Sequence, residues 1–505
     1  MPKHESVWSA TAQLPVCGPL KENIHADVCV IGGGIAGLSS AYHLAKAGRS
    51  VAVLDDGPLA SGMTRMTTGH LTNMLDDRYF ELEKLQGAEA MRVAAESHTA
   101  AIERIDEIVR TEGIDCDFTR LDGYLFLAEG DQPGTLDREL DAAHRAGLKD
   151  VERLSRAPYA GWDTGPCLRF PRQGQFHPLK YLAGLAEAIR RAGGRIFCHS
   201  HADHVEGGVP GLVHSGRHVL TGDSIVVATN VPINNLLAIH TKQAPYMTYV
   251  VAARVPEGSL PRCLAWDTGD PYHYIRLHDD LLIVGGEDHK SGQAADSPQR
   301  YRNLEAWARS RFPMMREVEF AWGGQVMEPL DYLGFIGRNP MDHDNIYIAT
   351  GDSGMGLTHG TIAGMLLCDL ILGRQSPWEK VYSPSRVPVR AAGEFAREDF
   401  NMAAQYADWL TPGDVDSTDE IGRESGAIVR RGLEKLAVYR DAGGALHECS
   451  AACPHLGCVV QWNPGEQTWD CPCHGSRFDA RGQVINGPAN RDLAPVKRAE
   501  HKRAA

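Results

Sequence analysis

The amino-acid sequence predicts an α/β domain with an inserted α+β antiparallel-sheet domain, followed by a small all-β domain. Three stretches carry that expectation. Ala26–Ile31 is a short apolar run that enters Gly32-Gly33-Gly34-Ile35-Ala36-Gly37, a helical pattern Leu38–Gly48 and a second apolar run Ser50–Leu54. Residues 246–286 read as strands joined by turns, and from Gly426 the strands become short around two loops that each hold cysteines and a histidine. A chain of 505 residues is too long for one ordinary core, which agrees with two to three domains.

Residues 1–24 read as an N-terminal arm. The first apolar run suits a buried parallel strand. With the helix and second run it forms a complete Rossmann-like β-α-β unit carrying G-x-G-x-x-G. Its glycines let the backbone approach a pyrophosphate, and the helix N-terminus supplies free N–H groups and a positive dipole end. Asp55-Asp56 follows the second strand, where a ribose-binding carboxylate belongs. Gly32, Gly34, Ile35, Ala36, Gly37, Asp55 and Asp56 are therefore candidate dinucleotide contacts.

Pro58–Leu71 is rich in small and hydroxyl residues. Residues 80–150 are mainly helical in pattern (Glu81–Leu85, Ala88–Val109, Leu136–Ala146), with a hairpin-like Gly123–Leu127 between them. Lys180–Ala192 is a helix, Ile196-Phe197 begins a strand that alternates to Val205, and Ser224–Asn230 is a strand ending in a small-residue turn. Tyr249–Ala253, His273–Leu277 and Leu281–Gly285 are strands, the last two joined at Asp279-Asp280. Residues 298–320 revert to a helix and a strand. Asn345–Thr350 is a strand that feeds Gly351-Asp-Ser-Gly-Met-Gly-Leu-Thr358, and Thr361–Leu372 is a helix, a second site for a polar or anionic group at a helix start. Residues 381–425 are a proline-containing linker with a short helix around Phe395–Leu410, expected to pack on the first domain. Residues 426–505 are the all-β domain.

Its two loops are Cys453-Pro-His455-Leu-Gly-Cys458 and Cys471-Pro-Cys473-His474-Gly-Ser476. Two Cys-plus-His half-sites make a site for a metal that accepts thiolate and imidazole, either zinc or an iron–sulfur cluster. Zinc leaves Cys458, Cys473 and the flanking glycines unexplained. Of the 12 cysteines the other eight are scattered, as expected for free buried thiols in a reducing compartment. Hydrophobic content is 43%, charged content 23% and formal net charge −14, which argues against nucleic-acid binding and anionic membranes. The first residues show no signal-peptide core, and no apolar run is long enough to span a bilayer, so a cytoplasmic location without a membrane anchor is expected.

The second set of loops closely resembles the Rieske iron–sulfur family. That resemblance implies a [2Fe–2S] cluster with one iron on Cys453 and Cys471 and the other on His455 and His474, and a Cys458–Cys473 disulfide. Gly487-Pro488 matches the proline loop of such domains and Ser476 the usual hydroxyl donor. The tyrosine often found after it is Phe478 here, which implies a potential below the high end of the Rieske range, roughly −150 to +300 mV. Residues 25–380 resemble the D-amino-acid-oxidase-like FAD-dependent oxidoreductases, which include glycine, sarcosine and glutamylputrescine oxidases. The resemblance implies FAD-binding segments at about 25–80, 150–235 and 325–380, and substrate-domain segments at about 81–149 and 240–324. It places the flavin against Thr64, Thr68, Gly69, His70 and Leu71, the returning residues Ala202, Ala228, Thr229 and Asn230, and the turn Gly351, Gly354, Met355, Gly356, Leu357 and Thr358.

Two departures matter. Relatives with covalent flavin use a Cys or a His; here Trp322–Pro329 has no Cys, Met66 stands near where the His would fall, and His70 is displaced, so FAD is expected to be non-covalent. The lysine that helps hold a substrate carboxylate in sarcosine-oxidase-like enzymes is matched by Thr358, leaving Arg276 as the candidate anchor. His273, Tyr274 and His359 are candidate bases. The expected activity is oxidation of a small amine or amino-acid-type C–N bond, with electrons passing singly through the cluster to a carrier protein or quinone. The alternatives are the reverse flow, in which an outside donor reduces the cluster and the flavin reduces substrate or O₂, and a non-catalytic electron-transfer or redox-sensing role. A homo-oligomer is compatible with the sequence.

Overall fold

The computed structural model describes residues 3–234, 239–387, 398, 401–402 and 404–496. Two compact units are present: Met1–His289 with Gln299–Phe395, and Lys290–Pro298 with Ala396–Ala505.

The first unit holds two sheets among the described residues. One has parallel strands β1 (Ile24–Ile31), β2 (Val51–Leu54), β7 (Arg195–Phe197), β10 (His218–Val227) and β17 (Ile346–Thr350) in the order β17-β10-β1-β2-β7. β16 (Phe335–Arg338) lies antiparallel against β17, and β8 (His204–Glu206) and β9 (Gly211–Ser215) extend from β10. β2 and β17 are buried at every position, the signature of strands covered on both faces. Helices α2 (Ile35–Lys46) and α8 (Gly356–Ile371) pack closely, because a Cβ on Gly364 would come within 2.2 Å of Ser39 Oγ and one on Gly360 within 2.7 Å of Ile35. α8 begins at Gly356 rather than Thr361, and its glycines are what hide that start from the sequence.

The other sheet runs β15 (Val318–Pro329), β11 (Gln243–Arg254), β14 (Leu281–Lys290), β13 (Tyr274–His278), β12 (Leu264–Asp267), β4 (Thr119–Phe126), β6 (Cys167–Gln175) and β3 (His70–Leu71), with β5 (Glu152–Leu154) beside β6. Helices α3 (Tyr79–Gln86), α4 (Ala88–Glu112) and α5 (Gly134–Arg145) share a core with it through Leu82, Met91, Leu125, Leu136 and Trp266. α7 (Ser297–Arg311) supplies Leu304 and Ala308 to a second core with Tyr249, Val251 and Val284. The sheet draws β3, β5 and β6 from stretches assigned by sequence to nucleotide binding. Gly123–Leu127 is no hairpin but the end of β4, inside the sheet. Its glycine is required by packing, since a Cβ there would lie 2.7 Å from the Trp266 ring.

The second unit contains a sheet of β18 (Ser425–Arg431), β19 (Glu434–Arg440) and β20 (Leu446–Ser450), and a sheet of β21 (Gln461–Asn463), β22 (Thr468–Asp470), β23 (Arg477–Asp479) and β24 (Val484–Asn486). Most of the helix expected around Phe395–Leu410 lies outside the described residues. Its described end, Tyr406–Leu410, is a 3₁₀ turn bonded to the cysteine loops of its own unit: Tyr406 Oη donates to Leu456 O (2.8 Å) and Trp409 Nε1 to Gly457 O (2.9 Å). Lys290–Pro298, from the last residue of β14 to the first two of α7, also belongs to this unit, with Ser297 Oγ donating to Asn463 Oδ1 (2.8 Å). No described helix is long and apolar enough to cross a membrane.

Candidate active site and metal centre

The glycine turn after β1 has no room for side chains. A Cβ on Gly37 would lie 1.9 Å from Gly32 O, and one on Gly32 (φ 106°) 2.4 Å from Ala228 O. α2 opens at Gly34, which has no capping side chain, and Ile35 N–H donates to Thr64 Oγ1 (3.1 Å). Asp55 accepts from Gly33 N–H (2.7 Å) and Gly57 N–H (3.0 Å), and burial pushes its carboxyl up to about 6. Asp56 points away, toward His201, whose hydrogen bond holds its carboxyl below the usual range. Ala202 and Ala228 are buried; Thr229 Oγ1 donates to Val231 O; Asn230 sits at φ 65° with Nδ2 buried and without a partner among the described residues. A side-chain-free turn, an open helix start, an inward acid and an orphaned amide donor fit a dinucleotide.

The loop after β2 is held from behind by three side chains. Trp322 Nε1 donates to Met66 O (2.8 Å), Trp8 Nε1 to Thr67 O (2.6 Å), and Arg276 Nη1 to Thr68 O (2.9 Å), Gly69 O (2.8 Å) and Phe176 O (3.2 Å). Four successive carbonyls are thus tied down by the N-terminal helix α1 (Val7–Thr11), β15 and β13. A Cβ on Gly69 would lie 2.3 Å from Arg276 Nη1, so glycine is required for this approach. His70 has both ring nitrogens engaged, Nδ1 with Thr68 Oγ1 (2.9 Å) and Nε2 with Ile275 O (3.3 Å). Leu71 is buried.

The third piece is the turn between β17 and α8. Gly351 (φ 71°) and Gly354 (φ 76°) need glycine conformations, and a Cβ on Gly354 would lie 1.9 Å from Asp76 Oδ2. Met355 and Leu357 are buried, and Thr358 Oγ1 pairs with His98 Nδ1 (2.8 Å). Among the candidate bases, Tyr274 Oη pairs with Thr248 Oγ1 (2.8 Å), and His359 is buried with Nε2 unpartnered among the described residues. His273 is turned to Asp267 (2.8 Å) and stacked on Trp307 of α7 at 4.0 Å. Arg276 lies beneath the loop carbonyls and 5.1 Å from the Trp8 ring centroid; Asp279 and Asp280 pair with Arg262 and Arg254 instead.

Sequence reasoning missed a group of half-buried acids at this turn. Tyr272 Oη donates to Asp76 Oδ2 (2.6 Å), Ser353 Oγ to Asp77 Oδ2 (3.0 Å) and Met327 N–H to Asp352 Oδ1 (3.3 Å). Burial raises Asp76 and Asp352 to about 6 and Asp77 and Asp288 to about 7, and drives Glu328 up as well. Acids on β14, β15 and two loops converge here only through the fold.

In the second unit the two cysteine loops repeat one geometry. Cys453 N–H donates to Cys458 O and Cys471 N–H to Ser476 O; Gly457 N–H returns to Cys453 O and Gly475 N–H to Cys471 O. Gly457 and Gly475 share φ 80°. The His455 and His474 ring centroids are 4.8 Å apart, and burial lowers these imidazoles to about 4 and about 3, keeping them in the neutral form that ligates metals. The Cys453 thiol is drawn down to about 7, first by its hydrogen bond with Cys471 and also by one with Ser476. Ser476 Oγ accepts from Ala489 N–H (2.9 Å), so its proton is free for sulfur. Two thiols and two neutral imidazoles on matched loops fit a cluster with unlike irons. Cys458 and Cys473 form a disulfide, and the Sγ atoms of Cys458, Cys471 and Cys473 lie within 4.8 Å of one another. Alkylation without reductant is expected to leave both disulfide cysteines unmodified in mass spectra. Replacing both by serine closes no loop of sequence separation 15 and should cost the unit about 3 kcal/mol in denaturant unfolding.

Comparison with known proteins agrees. Residues 27–370 match the FAD dependent oxidoreductase family DAO, and residues 411–497 match the Rieske [2Fe-2S] domain. The Bacillus subtilis protein YhfW, named for a Rieske 2Fe-2S centre, is 30% identical over 503 residues, covering 97% of each chain. The gamma-glutamylputrescine oxidoreductase of Escherichia coli is 30% identical over 371 residues, 70% of this chain and 85% of its own. The crystal structure of glycine oxidase from Geobacillus kaustophilus superposes with a TM-score of 0.61 at 18% identity, over 72% of this chain and 99% of that one, a likeness of fold. The chain belongs to the DAO family of FAD-dependent oxidoreductases and carries a Rieske [2Fe–2S] domain at its C-terminal end.

Proposed function

We propose that this protein oxidises a C–N bond of a small amine or amino-acid-type substrate and passes the electrons one at a time to an external carrier. FAD supplies acceptance of a hydride equivalent from the carbon bearing nitrogen, and the [2Fe–2S] cluster supplies single-electron traffic. The observation that carries the reading is the pocket beside Gly351–Thr358, lined by acceptors: carboxyls on Asp76, Asp77 and Asp352, and the neutral His359. Such a lining suits a substrate that presents N–H groups.

The chain's own residues divide the work. Gly32–Gly37 and Asp55 would bind the dinucleotide; Trp8, Trp322 and Arg276 orient the loop of Met66–Gly69; the α8 start would offer a positive dipole end to the flavin. Cys453, His455, Cys471 and His474 hold the cluster. Because both His70 nitrogens are taken, FAD is held non-covalently, and trichloroacetic acid should leave the yellow colour in the supernatant. The function is tested by anaerobic mixing of holoprotein with amines and amino acids. Bleaching at flavin wavelengths, followed by loss of the oxidised cluster spectrum, supports it. Reduction solely by an added electron-transfer protein would reverse the assigned direction.

A further inference from the structure

We propose that the substrate is a cationic di- or polyamine without a carboxylate, one of whose ammonium groups seats between Asp76, Asp77 and Asp352. The proposal rests on the amine-oxidation reading above and narrows it. These three acids line a small cavity with Ser353, His98 and His359, with room for a group about the size of one water, which is also the size of an ammonium head.

The acids are fixed and only partly neutralised, since the Arg78 charge acts on Asp76 and Asp77 without pairing with either carboxyl. Tyr272 and Ser353 each give one neutral hydrogen bond, to Asp76 and Asp77. A carboxylate has about four acceptor sites, so most remain to be filled. Arg78, next to them in the chain, spends Nη1 on Asp76 O and Nη2 on Asp267 O. Among the described residues none of Asp76, Asp77, Asp288, Glu328 and Asp352 forms an ion pair within 4 Å.

A second observation is independent of the acids. His359 is 5% exposed, lines the cavity and has no partner for Nε2 among the described residues; a Cβ on the wall residue Gly334 would lie 2.0 Å from that atom. Buried polar atoms without partners are costly and mark the place of a missing one. Burial lowers His359 to about 3, so it stays neutral and adds no positive charge.

The lining also excludes rival ligands. A divalent metal needs several oxygens converging at about 2.0–2.6 Å. Among the described residues the ligand atoms gathered tightly enough for a metal are the thiol sulfurs of Cys458, Cys471 and Cys473, not these carboxyls. A substrate carboxylate would meet like charge in a site of low dielectric. Arg276, the candidate anchor, does not line this cavity. Mutual repulsion adds to burial in holding Asp77 near 7, and a bound ammonium would relieve it.

The test is anaerobic titration of the oxidised holoprotein with 1,4-diaminobutane, spermidine, butylamine, glycine and N-methylglycine, read by flavin absorption. The diamine and triamine are expected to reduce the flavin at half-saturating concentrations about tenfold or more below that of butylamine, with no reduction by the two amino acids. Asp76→Asn and Asp77→Asn are each expected to raise the diamine value about tenfold or more. The resting flavin spectrum and FAD content of each variant report that the site has folded. Reduction by glycine or N-methylglycine but not by the diamine overturns the proposal and leaves C–N oxidation standing. Equal response to diamine and butylamine, unchanged in both variants, also overturns it. No reduction by any of the five overturns the underlying reading as well.

Discussion

Cys471→Ser is expected to abolish the visible and EPR signature of the [2Fe–2S] cluster while FAD stays bound. Cys471 is 1% exposed and sits at the first position of the second loop, where its N–H is bonded to Ser476 O and its thiol to Cys453. Serine keeps the backbone bonds but replaces a soft thiolate with a hard, poorly acidic hydroxyl. The cluster then lacks a sulfur on the iron assigned to Cys453 and Cys471. Every residue assigned to FAD lies in the other compact unit, so flavin content should remain near one per chain. Iron and sulfide analysis, EPR of the reduced protein and flavin stoichiometry give the result. Cys449→Ser is the control, because that thiol donates to Arg481 O and takes no part in the loops. A Cys471→Ser protein that kept its EPR signal would remove this residue from the ligand set.

Arg276→Met should cost the protein both stability and FAD affinity. The guanidinium is 1% exposed, and burial pulls it down to about 9. Its Nη1 serves the carbonyls of Thr68, Gly69 and Phe176, and methionine leaves all three without that donor. An unsatisfied buried carbonyl costs about 1–3 kcal/mol, part of which is recovered by no longer burying a charge, so a net loss of about 3 kcal/mol is expected. The loop proposed to face the flavin is released at the same time, and the FAD dissociation constant should rise about tenfold or more. Trp8→Phe deletes a single donor, to Thr67 O, and should cost about 1 kcal/mol. Denaturant unfolding and flavin fluorescence measure both. If Arg276→Met bound FAD as tightly as the parent, Arg276 would be a packing element and not a positioner of the loop.

The parts of the site visible in the sequence are those whose chemistry is local. The turn Gly32–Gly37 is legible because each glycine answers a steric need within the turn or against the next strand, as at Gly37 and Gly32 O. The cysteine loops are legible because all the ligands of each half-site fall within a few residues. What the sequence concealed is long-range. Trp8, Trp322 and Arg276 come from three distant elements to serve consecutive carbonyls, and no spacing in the chain announces that. His98 reads as one residue of a helix face until α4 brings it to Thr358. Asp76-Asp77 carries no spacing signal, yet the fold brings the pair, half-buried, against Ser353 and Gly354. The start of α8 was concealed for a different reason, since glycines chosen for helix contact imitate a loop.

The path of the chain through Lys290–Pro298 has a practical meaning for modularity. This stretch departs from the sheet at the end of β14 and is built into the C-terminal unit before α7 resumes. Gly292 (φ 67°) accepts no side chain there, because a Cβ would lie 2.8 Å from Asp470 O, and Ser297 Oγ accepts from Gly465 N–H (2.9 Å). The iron–sulfur unit is therefore not excisable by one cut in the linker. A truncation before residue 396 strips this connector of its partners Asn463, Gly465 and Asp470 in what remains, and a transplanted C-terminal fragment lacks a piece of its own wall. As genetic cargo the two catalytic halves travel together.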